Sequence, residues 1–157
     1  MDTVYIETSI ISHATAWLSS EPATAVLQDQ AKRWMTEQRP LYDIVTSQLV
    51  LDEAARGDPD AARRRLTMLG DILILEANPD VEWVANELLL HALIPKKARL
   101  DALHVATAAL AGVEYLLTQN CRHIANAHVL PSVPVAGRTG SSAVVDLHTG
   151  RVSGRIR

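Results

Sequence analysis

The sequence has one cysteine, no long apolar run and no basic leader. Cys121 therefore cannot form an internal disulfide, which suits a reducing compartment. The apolar stretch HVATAALAGVEYLL is cut by Glu114 and falls short of the roughly 18 residues that a membrane-spanning helix needs. The amino terminus carries no basic segment before its apolar stretch, as a secretory signal would. These absences predict a soluble, cytoplasmic protein with no membrane partner.

The sequence also lacks a glycine- or serine-rich phosphate-binding loop, and it has no lysine at a predicted strand end. Flavodoxin-like and receiver-like domains place acidic residues at strand ends, as this chain does, but they need one of these two features. Their absence disfavours a phosphate-binding domain of either type.

Basic charge is scarce over most of the chain. Of its 157 residues 48% are hydrophobic, which suffices for one packed domain. Residues 1–130 hold 11 Lys and Arg against 17 Asp and Glu, whereas residues 131–157 hold four Arg against one Asp. An acidic body argues against a nonspecific nucleic-acid coat, although the basic clusters at 63–65 and 96–99 could contact nucleic acid locally. Ordinary solvated helix faces would explain both clusters as well.

Short β-rich runs alternate with helical stretches along the chain. Strands are predicted at 2–7, 42–47, 71–76 and 113–119, and helices at 23–38, 49–58, 60–70, 79–93, 96–112 and 121–129. This alternation predicts a parallel sheet covered by helices on both faces. We expect one domain at 1–130 and a C-terminal extension at 131–157 that adds a short edge strand at 142–147 or stays disordered.

The stretch VYIETSII at 4–11 reads as a strand that carries an acid. If the strand leaves the sheet at Glu7, the carboxylate lies at the rim, where parallel sheets gather functional groups. Thr8 or Ser9 would then cap the helix that follows. An exposed acid with no function is the alternative.

The helix predicted at 96–111 is apolar almost all round and should be central and mostly buried. Its polar exceptions, Lys97, Asp101 and His104, fall on one face. An ionised Asp101 there needs a cation, a metal or several hydrogen-bond donors, and a pair with Lys97 or His104 is the alternative. His104 suits a hydrogen-bonded positioning role better than metal ligation, because oxygen-rich Mg²⁺ or Mn²⁺ sites rarely include imidazole.

Two further polar residues follow strands. Glu53 lies four residues after Leu49 on the inward side of the helix that begins after Ser47, whereas Asp52 points about 100° away. A solvated Asp-Glu pair is the alternative. Asn120 follows the fourth strand and would cap the next helix.

At these residues the sequence resembles PIN-domain proteins of the VapC-like toxin type. The resemblance rests on the order and spacing of ETS at 7–9, SQLVLDEAARGD at 47–58 and RLDALHVATAALAGVEYLLTQNCRHIANA at 99–127. It extends from about residue 3 to residue 128, and the last segment is its most specific part.

The resemblance implies a PIN-like, Rossmann-like α/β/α sandwich with a central, mostly parallel sheet. It also implies a Mg²⁺- or Mn²⁺-dependent endoribonuclease that cleaves RNA as the toxin of a toxin–antitoxin pair. The expected partners are RNA, a cognate antitoxin protein and a second copy of the chain. Position by position, the family acids correspond to Glu7, Glu53 and Asp101, and the fourth metal ligand to Asn120. We assign supporting roles to Thr8, Ser9, His104 and Thr118, and contacts with RNA phosphates to Lys97, Arg99 and Arg122.

Two residues depart from the family pattern. The first acid is commonly Asp, and the extra methylene of Glu7 moves its oxygens by about 1.5 Å. Asn120 stands where the family often has Asp, which leaves three carboxylates, enough for one Mg²⁺ but less secure for a second. No family counterpart is recognised after Pro134. The alternative function is a catalytically weakened PIN-fold module that acts through protein binding. For the enzyme, we expect the three carboxyl groups to converge in one acidic cleft.

Overall fold

The computed structural model describes residues 1–90 and 98–120, together with the backbone of two later strands. The strands within these residues are Thr3–Ile6 (β1), Asp43–Thr46 (β2), Leu73–Ile74 (β3), Tyr115–Thr118 (β4), Ala143–Asp146 (β5) and Val152–Ser153 (β6). The α-helices are Thr8–Thr15 (α1), Pro22–Arg33 (α2), Gln48–Ala54 (α3), Pro59–Leu69 (α4), Val81–Leu90 (α5) and Arg99–Leu110 (α6). A π-helical turn at Trp34–Gln38 and a 3-10 turn at Arg39–Leu41 lead from α2 to β2.

Four parallel strands form most of the sheet, whose order is β3-β2-β1-β4-β5-β6. Strand β1 is central, with Tyr5 opposite Val45 of β2 on one side and opposite Leu116 of β4 on the other. The chain leaves β1 towards β2 and later returns on the opposite side as β4. Such a reversal opens a crevice at the carboxyl ends of the two strands, where α/β proteins bind ligands.

The C-terminal strands extend this sheet in the other direction. Strand β5 pairs antiparallel with β4, and β6 pairs antiparallel with β5. The strand predicted at 142–147 therefore forms, but β6 and not β5 is the outer strand on that side. The helix predicted at 121–129 lies outside the described residues.

The core is formed mainly by the two central strands and the helices beside them. Val4, Tyr5 and Ile6 of β1 are buried, as are Leu116 and Leu117 of β4. Continuous burial of this kind is expected of parallel strands that are covered on both faces. Helix α1 packs with α2, α3 and α4, and α5 packs with α6. Among the residues that the structure describes, every helix is too short or too polar to span a bilayer.

Some element boundaries differ from the prediction. Strand β3 covers Leu73–Ile74 rather than 71–76, because among the described strands it pairs with β2 alone and lies at the sheet edge, where Leu73 is 67% exposed. The helix predicted at 23–38 gives way to the π-helical turn after Arg33. The middle of α6 is buried as predicted, but Leu100 in its first turn is exposed.

Candidate metal centre

Glu7 lies where β1 ends and α1 begins. Its backbone N–H donates to the carbonyl of Leu117 at 3.2 Å, which ties it to the end of β4. The residue is only 5% exposed. Its Oε2 accepts hydrogen bonds from Thr118 Oγ1, at 2.8 Å, and from Ser9 Oγ. Two hydroxyl donors on one oxygen fix the orientation of this buried carboxylate.

The prediction that Thr8 or Ser9 caps α1 is wrong. Glu7 occupies the N-cap position, and no side chain caps the helix there. Ser9 Oγ instead donates to Glu7 and accepts from the backbone N–H of Gln119 at 2.8 Å. Thr8 Oγ1 is buried and has no hydrogen-bond partner among the described residues. The backbone at the end of β4 thus bonds the Ser9 hydroxyl, which is then not used to cap α1. This contact joins residues far apart in the sequence, so local spacing could not predict it.

Glu53 points inward from α3, as the helical spacing predicted. Its Oε1 lies 2.7 Å from Nε2 of His104, whereas Asp52 is exposed and accepts from Gln48 at 2.8 Å. Burial is the largest single influence on the pKa of Glu53 and raises it, but the hydrogen bond and the charge of His104, together with Thr8 and Arg56, outweigh burial, so the pKa lies below its ordinary value. The Thr8 hydroxyl adds to this lowering, although its oxygen is outside hydrogen-bonding geometry with any described atom.

Asp101 lies in the first turn of α6 and is connected to Glu7 indirectly, through Asn120 and Thr118. Its Oδ1 accepts from Nδ2 of Asn120 at 2.8 Å. The backbone N–H of Asn120 donates to Thr118 Oγ1 at 2.9 Å, and that hydroxyl donates in turn to Glu7. Asn120 thus supports two parts of the site, since its side chain contacts one acid and its backbone orients the hydroxyl that contacts another.

His104 is 1% exposed and uses both ring nitrogens. Nδ1 lies 2.9 Å from the hydroxyl of Tyr5, and Nε2 faces Glu53. These two partners take the place of the alternative pair with Asp101. A ring whose two nitrogens are both engaged is poorly placed to bind a metal, which supports the predicted positioning role.

The residues present fit a divalent cation. One ligand atom from each of Glu7, Glu53 and His104 lies within 4.8 Å of the others. Because His104 Nε2 bonds Glu53, the atoms suited to a cation are the carboxylate oxygens, which Mg²⁺ and Mn²⁺ prefer. The buried Thr8 hydroxyl, which lacks a hydrogen-bond partner among the described residues, adds an uncharged polar oxygen beside Glu53.

A family model for the PIN domain matches residues 4–128, which is most of the chain. The chain belongs to the PIN-domain family. This membership confirms the predicted α/β sandwich with its mostly parallel sheet. PIN domains are generally nucleases that use a divalent metal. The acidic cluster of this PIN domain is consistent with such a metal site. A search among curated proteins found no match to the chain.

The basic residues expected to contact RNA are placed only in part. Arg99 of the PIN domain donates to Glu82 and, at 3.1 Å, to Oδ1 of Asn86, both on α5. These contacts hold its guanidinium against α5, so RNA would have to displace them. Contact of Arg99 with RNA stays a prediction. Lys97 and Arg122 lie outside the described residues.

The basic cluster at 63–65 is more than a solvated face. Arg64 Nε donates to the carbonyl of Thr15 at 3.0 Å, and Arg65 Nε donates to that of Ala54 at 2.9 Å. These bonds fasten α4 to the ends of α1 and α3. The solvated-face interpretation therefore holds for Arg63, which is exposed and pairs within α4.

Three residues of the site were not predicted: Tyr5, Ser47 and Gln119. Tyr5 looks like an ordinary core residue of β1, and Ser47 looks like the cap of α3. Ser47 does occupy the N-cap position, but its side chain makes no cap bond and lies 2.7 Å from the Tyr5 hydroxyl. Burial raises the pKa of Tyr5 well above its ordinary range, more than this hydrogen bond lowers it. The sequence did place a tyrosine in a buried strand and a histidine in a buried helix, and two such polar groups need hydrogen-bond partners in the core. This pattern could have indicated their contact.

Proposed function

We propose that this PIN domain is a Mg²⁺- or Mn²⁺-dependent endoribonuclease. The observation that carries the proposal is the convergence of Glu7 and Glu53 at the carboxyl end of the sheet, with ligand atoms within 4.8 Å. Two carboxylates brought this close, with Glu7 5% exposed and the Glu53 side chain 17% exposed, favour a functional site, and PIN domains are generally nucleases. Asp101 lies outside this group of ligand atoms, and we include it in the proposed site because Asn120, which contacts it, also contacts the Thr118 hydroxyl that donates to Glu7.

The side chains have distinct roles in this proposal. Glu7, Glu53 and Asp101 hold the ion directly or through its waters, and Asn120 acts as a neutral fourth group. The ion, when bound, supplies a water of lowered pKa and offsets the negative charge that develops on the phosphate. Ser9 and Thr118 orient Glu7, and His104 orients Glu53. Thr8 adds a hydroxyl beside Glu53.

We further propose RNA as the substrate and a toxin–antitoxin pair as the setting. Lys97, Arg99 and Arg122 are the candidates for phosphate contacts. Because residues 1–130 are acidic overall, affinity for RNA should come from these local groups and from the metal rather than from a general basic surface. A cognate antitoxin, a homodimer and a cytoplasmic location belong to this proposal.

The alternative, a weakened PIN-fold module that acts through protein binding, differs in its metal site. In that case the neutral Asn120 would reflect a site that no longer holds a cation tightly. Metal binding therefore separates the two functions, since the module has no need of Mg²⁺ or Mn²⁺.

The experiment measures cleavage of a mixed-sequence, fluorescently labelled RNA by the purified protein over a range of Mn²⁺ and Mg²⁺ concentrations. We expect cleavage that EDTA abolishes. Glu53→Gln and Asp101→Asn should each reduce it by at least about 100-fold, because each replaces a negatively charged group that holds the ion by a neutral one. Asp52→Asn is the matched control, because this neighbouring acid is exposed and bonds only locally to Gln48. Mn²⁺ binding is measured in parallel by calorimetry: binding without cleavage of this RNA would refute the nuclease, and the absence of both would favour the protein-binding module.

A further inference from the structure

We propose that Tyr5, Ser47 and His104 form a buried hydrogen-bonded chain whose function is to hold the carboxylate of Glu53 in position for the metal. The inference rests on the proposed function, since it assigns the support of one of its ligands. It adds two residues, Tyr5 and Ser47, whose hydrogen bonds reach Glu53 only through His104.

The chain runs across three elements of the fold. Ser47 Oγ, at the start of α3, lies 2.7 Å from the hydroxyl of Tyr5 on β1. The same hydroxyl lies 2.9 Å from Nδ1 of His104 on α6, and Nε2 of His104 lies 2.7 Å from Oε1 of Glu53. All three distances are those of good hydrogen bonds. The chain leaves α3 at Ser47 and returns to the same helix at Glu53.

The chemistry of the groups fixes the last bond of the chain. An ionised carboxylate can only accept hydrogen bonds, so Nε2 of His104 must carry the proton that faces Glu53. This holds whether or not Nδ1 is also protonated. The Tyr5 hydroxyl satisfies Nδ1 in either case, because it can donate or accept, and Ser47 takes the remaining role. The ring thus always presents a donor to Glu53.

The burial of the chain shows that packing alone does not explain it. Tyr5 is fully buried, and Ser47 and His104 are almost as deeply buried. Burying such polar groups costs free energy that an all-apolar cluster of the same shape would avoid. The chain ends on the one acid of α3 that points towards Glu7. Outer partners that fix a ligating side chain in this way typically change metal affinity by roughly 10- to 100-fold when they are removed.

The first test measures the Mn²⁺ affinity of the whole chain by calorimetry. Tyr5→Phe removes only the hydroxyl and keeps the core filled, and we expect it to raise the Mn²⁺ dissociation constant about tenfold. Ser47→Ala, which leaves the Tyr5–His104 bond intact, should raise it less. Tyr42→Phe is the control, because Tyr42 packs on Trp34 just before β2 begins, at the opposite end of the sheet from the site. The same loss should disappear when Tyr5→Phe is made in a Glu53→Gln background, since the chain then has no carboxylate to hold.

The second test does not involve the metal. In metal-free protein, the Nε2–H proton of His104 should give a slowly exchanging resonance in a ¹⁵N-edited NMR spectrum, and Tyr5→Phe should speed its exchange with water. Failure of the wild-type protein to bind Mn²⁺ would overturn the proposed function and the metal-holding role together. Wild-type Mn²⁺ binding that Tyr5→Phe leaves unchanged, or an unprotonated Nε2, would overturn the chain alone.

Discussion

Replacing Asn120 by aspartate adds one negative charge at the point where the site departs from the family pattern. In the protein as it stands, Nδ2 of Asn120 donates to Oδ1 of Asp101 at 2.8 Å. The new carboxylate has no such donor, so the hydrogen bond is lost and two carboxylates face each other. If they relax to about 5 Å apart, the repulsion is roughly 1 to 3 kcal/mol at effective dielectric constants of about 60 to 20.

The same charge should have the opposite effect once a cation is bound. A further anion near the ion attracts it by a similar amount, so Asn120→Asp should tighten Mg²⁺ binding by roughly 5- to 150-fold, the equivalent of about 1 to 3 kcal/mol. The metal-free variant should be less stable than the wild type, and saturating Mg²⁺ should restore much of the difference. The helix-capping ability of aspartate is similar to that of asparagine, so the backbone at this position should tolerate the change.

Two measurements test this reasoning. The first follows the rate of RNA cleavage against Mg²⁺ concentration, where the midpoint should fall for Asn120→Asp, with Asp101→Asn as the blank. The second compares thermal unfolding in EDTA and in saturating Mg²⁺, where the variant should lose stability mainly in EDTA. An unchanged midpoint would show that the side chain at position 120 does not face the metal.

Three further substitutions separate structural from functional groups. Asp101→Ala should abolish RNA cleavage but change the free energy of unfolding in EDTA by less than about 1 kcal/mol. The loss of the hydrogen bond from Asn120 is offset by weaker repulsion among the acids of the site. A larger loss of stability in urea unfolding would give Asp101 a structural role. Arg65→Ala should lower the free energy of unfolding by about 1.5 to 3 kcal/mol in the same assay, because it removes a charged donor to the end of α3. The control Arg63→Ala should change it by no more than about 0.5 kcal/mol, and equal effects of the two substitutions would contradict the role of Arg65 in fastening α4 to α3. The hydrogen bond from Arg39 lowers the pKa of Asp71, so the small stabilisation from this pair is present above the ordinary carboxyl pKa and is lost as the pH falls through the lowered pKa of Asp71. Asp71→Asn should remove this pH dependence of stability, and high salt should weaken it.

Short-range patterns explain why part of the site could be predicted from the sequence. The end of an apolar strand placed Glu7 at the rim of the sheet, and helical spacing alone separated Glu53, which points inward, from the exposed Asp52. The apolar surroundings of His104 indicated a buried, hydrogen-bonded ring. Each of these inferences needs only the geometry of one strand or one helix.

The remaining features depend on which elements meet in space. Ser9 and Ser47 had the sequence positions of helix caps, but partners on other elements, Gln119 and Tyr5, compete for their hydroxyls. Arg99 was expected to contact RNA, yet a neighbouring helix supplies Glu82 as its partner. Side chains that can bond in several ways are assigned by tertiary contacts that local spacing does not encode.

Whether the acids of this PIN domain form one metal centre can be seen in a crystal structure of the protein grown with Mn²⁺ and measured at a wavelength that gives anomalous signal from manganese. We expect one strong anomalous peak between Glu7 and Glu53, with carboxylate oxygens at about 2.1 Å or one water further away, and with Asp101 on the same ion. No peak in the cleft, or any two of the three carboxyl groups more than about 10 Å apart, would contradict it.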